Sequence, residues 1–200
     1  MENSLKRNRR WFQFSLRTLL IVIAIVAIPC AWLGSKIERK RKEREAVAAI
    51  EALGGYVWYN YQAAAPGGPP WASPAEPYGP AWLRSFLGDD FFSEVTGVSL
   101  QDANVSDADL VNLEGLSHLE SLNLVDRIRI TDAGLIDIRG LAQLKMLDLQ
   151  RTNVSDVGVA NLKGLGRLKT LYLYGTKVTT AGVNELRRAL PNCEIIADES

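Results

Sequence analysis

The chain has 200 residues with 23 basic and 23 acidic side chains, but these charges are unevenly distributed. Residues 1–45 carry eleven basic and four acidic residues, a net +7, whereas residues 46–200 carry twelve and nineteen, a net −7. An acidic body argues against nucleic-acid binding, which needs a basic face for the phosphates. With two cysteines and the single histidine His118, the chain lacks a ligand cluster, so we expect neither a disulfide framework nor a metal site.

The first element in chain order is an apolar segment that follows a basic N-terminal segment, residues 1–15. Thr18 to Ser35 contains eighteen residues without a charge. A helix of that length spans about 27 Å, close to the roughly 30 Å of a hydrocarbon core. We therefore predict a transmembrane helix over residues 16–35, in a single-pass membrane protein that contacts the lipid bilayer through Thr18–Leu33. Five basic residues precede the segment's apolar part and six follow it, so its orientation stays open.

A cleaved signal peptide and a helix buried in a soluble core are the alternative interpretations of this segment, and the dense charge on both sides argues against the second. Four basic residues before it have the character of an n-region, and Leu19–Ile28 that of an h-region. The basic residues after the segment and the lack of a clean small-x-small cleavage site favour an uncleaved anchor. A lipoprotein would use Cys30, but Pro29 stands where a small residue is expected.

The next segments are a helix, a strand with a linker, and a cap. The composition of residues 36–55 predicts a juxtamembrane helix that ends at Gly54 and Gly55. Its basic residues either bind anionic lipid headgroups or form a solvated face. Residues 56–80 predict a short aromatic strand and a Pro-rich linker. Residues 81–94 predict an N-terminal cap over a repeat domain, because four apolar residues share one helical face: Trp82, Leu83, Phe86 and Leu87.

Residues 95–200 repeat with a period near 24 residues. The pattern apolar-x-x-apolar-x-apolar occurs four times, and the central apolar residues are Val98, Leu122, Leu147 and Leu171. A short fifth strand follows, with Ile196 in the corresponding position. Each strand precedes a helical motif of the type ITDAGLIDIRGL, which begins with a residue suited to capping a helix N-terminus: Ser106, Thr131, Ser155, and Thr179 or Thr180. One such unit cannot bury its own apolar face, but four stacked units can.

In these repeats the chain resembles leucine-rich-repeat proteins, in particular a bacterial subclass with TDAG-type repeats that is similar to the repeats of eukaryotic F-box substrate receptors. The head, with FSLRTLL before the apolar run and REAVAAIEALGG after it, resembles a group of bacterial membrane-anchored repeat proteins. The resemblance implies an α/β fold: a leucine-rich-repeat solenoid, with a parallel sheet inside and helices outside, preceded by a single transmembrane helix. It also implies protein–protein interaction. The chain departs from the common pattern where Asn is usual after the strand, since it has Ala103, Arg127, Thr152 and Thr176 there.

The predicted binding surface consists of the residues between the strand leucines. Their side chains are expected to point onto the concave face of the sheet, where the fold does not require them. Tyr and Met are enriched in the cores of interfaces. We expect a protein or peptide ligand on this face, although a plain solvated sheet face is the alternative. The predicted partner-binding residues are Ser99, Asn123, Met146, Asp148, Gln150, Tyr172 and Tyr174.

The sequence predicts no catalytic residues and no cofactor, and we expect the protein not to be an enzyme. It has no phosphate-binding loop, dinucleotide fingerprint, nucleophile elbow or zinc motif. Asp132 and Asp156 lie in helical first turns, where a negative charge interacts favourably with the helix dipole. The alternative to a recognition module is a structural envelope or scaffold protein without a specific ligand.

Overall fold

The computed structural model describes residues 16–62, 77–101 and 103–198, and the predicted basic segment 1–15 lies outside them. The chain divides into two compact units, residues 1–38 and 39–200. The helices are α1 (Leu16–Ala52), α2 (Ala81–Leu87), α3 (Leu135–Ile138), α4 (Asp156–Val159) and α5 (Thr180–Ala189), with 3-10 helices at Asp89–Phe92, Asp107–Gly115 and Ala160–Gly164. The strands are β1 (Tyr56–Tyr59), β2 (Val95–Ser99), β3 (Ser121–Asn123), β4 (Met146–Asp148), β5 (Thr170–Tyr172) and β6 (Glu194–Ile196).

The strands form one six-stranded sheet in chain order. β1 pairs with β2 in the antiparallel direction, and β2 to β6 pair in parallel. Leu122, Leu147 and Leu171 lie opposite one another, and each is 0 % exposed. The prediction that these three leucines form one buried column is confirmed. Since side chains alternate along a strand, the residues on either side of each leucine point to the opposite face.

The predicted fold class, a leucine-rich-repeat solenoid behind a transmembrane helix, is wrong and is corrected to a mixed α/β fold with a mostly parallel sheet. β1 adds an antiparallel strand at one edge. Between β2 and β5 the connections hold 3-10 helices and the four-residue helices α3 and α4, where regular outer helices were expected. The connection from β5 to β6 has a similar length and holds the ten-residue helix α5, so the length of the period does not by itself exclude a regular helix.

The prediction of a transmembrane helix, and with it that of a single-pass membrane protein, is also wrong. In the parts of the chain that the structure describes, no helix combines the length and the apolar character needed to cross a membrane. The prediction treated residues 16–35 as a helix of their own. In the structure no helix ends at residue 35, because α1 runs from Leu16 to Ala52.

The final strand differs from the prediction by one residue. Ile195, and not Ile196, pairs with Leu171 and is buried. Ile196 pairs with Tyr172 and is 38 % exposed. A shift of one residue moves a side chain to the other face of a sheet. The sequence could not distinguish the two isoleucines, since they are adjacent and equally apolar.

The second half of α1 and strand β1 cover the core at the β2 end of the sheet. Ala46 and Ile50 of α1 belong to the buried core, and Val57 of β1 packs against it. Gly115 allows α1 to approach closely, because a Cβ atom there would lie 2.8 Å from the carbonyl oxygen of Lys42. Residues 81–94 were predicted to cover this end. Their helix α2 buries none of its own residues.

Candidate binding surface

The outward side chains of the parallel strands lie in rows across the sheet, and we call this surface the outward face. Its central row contains Ser99, Asn123, Asp148 and Tyr172, which the strand register places side by side. Met146 lies in a neighbouring row, between Ser121 and Thr170. Gln150 and Tyr174 follow two residues after Asp148 and Tyr172. The structure therefore places five of the seven predicted residues on adjoining strands of one face, and Gln150 and Tyr174 in the turns that follow β4 and β5.

Apolar side chains gather at the β4–β6 end of the outward face. Met146 is 43 % exposed and Tyr174 is 52 % exposed, whereas Tyr172 is half-buried. Ile196 adds an exposed apolar side chain next to Tyr172, and the sequence analysis did not assign it to this face. Tyr172 thus lies between Asp148 on one side and Ile196 on the other. We call Met146, Tyr172, Tyr174 and Ile196 the apolar group.

Two of the predicted residues have a structural role that the sequence analysis did not expect. The Asn123 Oδ1 atom accepts a hydrogen bond from the Val125 backbone N–H at 3.0 Å. The Asp148 Oδ1 atom accepts one from the Gln150 backbone N–H at 3.0 Å, and its Oδ2 atom accepts one from the Gln150 side-chain amide at 3.2 Å. These bonds satisfy backbone donors where the chain turns away from the sheet. The central row is therefore partly a set of turn-forming side chains.

The outward face is acidic where it meets the apolar group. Burial raises the pKa of Asp148, and the nearby carboxylate of Asp126 raises it further, against the lowering effect of the bonds from Gln150. Glu194, next to Thr170, adds an exposed carboxylate. Arg151 and Lys145, which border the face, are paired with acidic residues: Arg151 lies 3.2 Å from Asp126, and Lys145 lies 2.7 Å from Glu120. Lys169, which precedes β5 as Lys145 precedes β4, is exposed.

Strand β1 contributes aromatic side chains that the sequence analysis did not place on this face. Trp58 pairs with Gly97, and Tyr56 pairs with Ser99, so both point outward. A Cβ atom added to Gly97 would lie 1.7 Å from the Trp58 ring, which therefore occupies the space of the missing side chain. The available signal was Gly97 itself, because a glycine inside a strand often marks the close approach of another group.

A second polar cluster lies away from the outward face, where α1 meets β2. The ammonium group of the buried Lys40 donates to Glu43 at 2.9 Å and to Glu94 at 3.2 Å, and also to the backbone carbonyl of Ser93. Burial raises the pKa of Glu43, although the bond from Lys40 opposes this. His118 Nδ1 lies 3.1 Å from Glu94. These contacts join α1 to the sheet, which gives the charged residues a structural role.

Among the residues that the structure describes, no group of three His, Cys, Asp or Glu side chains is placed to hold a metal ion. No protein-family model matches this chain, and no curated protein matches it either.

Proposed function

We propose that this protein is an interaction module that binds a protein or peptide on the outward face, with Tyr172 and Tyr174 as the anchoring side chains. The observation that carries the proposal is the apolar group, which is partly exposed at the β4–β6 end of the outward face and bordered by Asp148. Tyrosine contributes strongly to binding at interface centres, where its ring is desolvated.

The proposed anchoring side chains are not part of the buried core. Leu171 and Leu173 point into the core. Tyr172 lies between them in sequence and Tyr174 follows them, and both tyrosines point away from the core. Truncation of an outward tyrosine leaves the leucine column in place, so its effect on the free energy of unfolding should be small. Loss of binding by such a variant therefore reports on recognition and not on folding.

A structural or scaffold role without a ligand is the alternative function. The observation that favours it is that Asn123 and Asp148 already use side-chain oxygens to hold their own turns. Under this alternative the polar central row serves the fold alone.

A capture experiment tests the proposal. The full-length wild-type chain, Tyr172→Ala and Phe86→Ala are used as baits in extracts of the native cells, with the partner identified by mass spectrometry. Phe86 is the matched control, because it is an aromatic residue on α2 that is 85 % exposed and lies outside the outward face. We expect Tyr172→Ala to weaken partner binding by about 2 kcal/mol or more, roughly 30-fold, while Phe86→Ala has no effect. Equal capture by all three baits would contradict the proposal.

A further inference from the structure

The charges of the outward face specify the chemistry of a ligand. Its strand positions contain two carboxylates, Asp148 and Glu194, and no lysine or arginine. The bordering Arg151 and Lys145 are each within ion-pair distance of a carboxylate of their own, and the exposed Lys169 precedes β5 at the end away from Tyr172 and the Asp148 row. A face of this kind attracts a cationic ligand and repels an anionic one.

Asp148 retains the capacity to bind such a cation. A carboxylate offers about four lone-pair positions, and the bonds from Gln150 occupy one on each oxygen. Its neighbour in the register on β5 is Tyr172, whose ring adds a surface that cations favour. Asp148 and Tyr172 together provide a negative charge and an aromatic wall for a guanidinium or ammonium group.

Aromatic side chains lie on two separate parts of the same face. The Trp58 ring lies over Gly97 of β2, Tyr172 lies on β5, and Asp148 lies between them on β4, two strand spacings from β2. At about 4.8 Å per spacing the distance from Gly97 to Asp148 across the sheet is about 10 Å. An extended peptide advances about 3.3 Å per residue, so roughly two to four residues cover this distance, and side chains at even separations point to the same side.

Building on the proposed function, we infer that the ligand is a basic, extended peptide segment that crosses the strands. Its lysine or arginine binds Asp148 beside Tyr172, and an apolar side chain two or four residues away contacts the Trp58 ring. The polar row of Ser99 and Asn123 lies beneath the intervening residues.

The test uses a phage-displayed library of random twelve-residue peptides, selected on the full-length chain, followed by synthetic copies of the enriched peptide. Asp148→Asn is a structurally matched variant, because Asn123 shows that an asparagine at this row position can accept the same turn bond. Replacement of the peptide's arginine by citrulline, or of its lysine by norleucine, removes the positive charge while keeping a side chain of similar length. A further pair of peptides moves the apolar residue from an even to an odd separation.

We expect the enriched peptides to carry a basic residue, and the loss of its charge to weaken binding to the wild type at least tenfold but to have no further effect on Asp148→Asn. The odd-spaced peptide should also bind more weakly. Enriched peptides that depend on Tyr172 but lack a cation, or that bind Asp148→Asn as tightly as the wild type, would overturn this inference and leave the proposed function standing. If no peptide is enriched over an unrelated protein, this inference is overturned, and the capture experiment decides the proposed function.

Discussion

Both carboxylate oxygens of Asp132 accept hydrogen bonds from Ser155 of the next repeat, one from its backbone N–H at 2.7 Å and one from its hydroxyl at 2.6 Å. The same pair of bonds joins Asp107 to Thr131 and Asp156 to Thr179. The sequence analysis assigned Asp132 and Asp156 to the helix dipole. Their main contacts are instead these hydrogen bonds between successive repeats.

Asp132→Ala should destabilise the protein. The variant removes two hydrogen bonds to a charged acceptor, so the half-buried N–H and hydroxyl groups of Ser155 lose their acceptor. We therefore expect the free energy of unfolding to fall by about 2–4 kcal/mol. Urea unfolding followed by circular dichroism measures this change. Glu114→Ala, at an exposed position, is the control and should stay within about 0.5 kcal/mol of the wild type. A similar effect of both substitutions would remove the link from the account of stability.

Gly158→Ala should be destabilising for a steric reason. A Cβ atom at this position would lie 2.3 Å from Asp132 Oδ1 and 2.9 Å from its Cα atom, so the backbone of the preceding repeat would have to move. We expect a loss of about 1–3 kcal/mol, the range for overpacking in a close-packed interior. Gly164 has no atom within 4 Å of the corresponding Cβ position, and Gly164→Ala should be neutral or slightly stabilising. Thermal unfolding of the two variants side by side makes the comparison, and equal melting temperatures would show that the close approach is absent.

Lys40→Met should be much more harmful than replacement of both members of its ion pair. The single variant leaves Glu43, which is 8 % exposed, as a buried carboxylate without its nearest cation, and we expect a loss of about 3–5 kcal/mol. The double variant Lys40→Met/Glu43→Leu removes both charges and should recover most of that loss, since apolar residues often replace a buried ion pair without cost. Denaturant titration of the wild type, both single variants and the double variant completes the cycle. Additive losses would mean that the two side chains do not interact.

The pH dependence of stability should show the environment of Asp148. Because the folded-state pKa is raised above its ordinary value of 3.8, the folded protein binds a proton at this site more tightly than the unfolded chain does. The wild type should therefore gain stability relative to Asp148→Asn as the pH falls through the folded-state pKa, and lose that advantage as the pH rises above it. Denaturant unfolding of both proteins from neutral to acidic pH measures the difference. A stability difference that is constant with pH, or that changes in the opposite direction, would contradict this environment.

Local patterns in the chain were sufficient to predict several features. The alternation of leucines, repeated every 24 or 25 residues, predicted the buried column of Leu122, Leu147 and Leu171. The hydroxyl residues before each helical motif predicted the caps, and Ser155 and Thr179 do accept hydrogen bonds from backbone N–H groups of the following turn. These features depend on the periods of strands and helices and on short-range hydrogen bonds, which neighbouring residues determine.

Tertiary structure alone decided the features that join distant parts of the chain. The antiparallel pairing of β1 with β2, which places Trp58 over Gly97, connects residues 39 positions apart along the chain. The choice of Ile195 over Ile196 for the core follows from the register with β5, and the links from Asp132 follow from the stacking of the next repeat. A carboxylate or an isoleucine has the same local propensity in either arrangement. Only the packing of the whole sheet distinguishes the two, because burial and hydrogen-bond partners are set by residues far away in sequence.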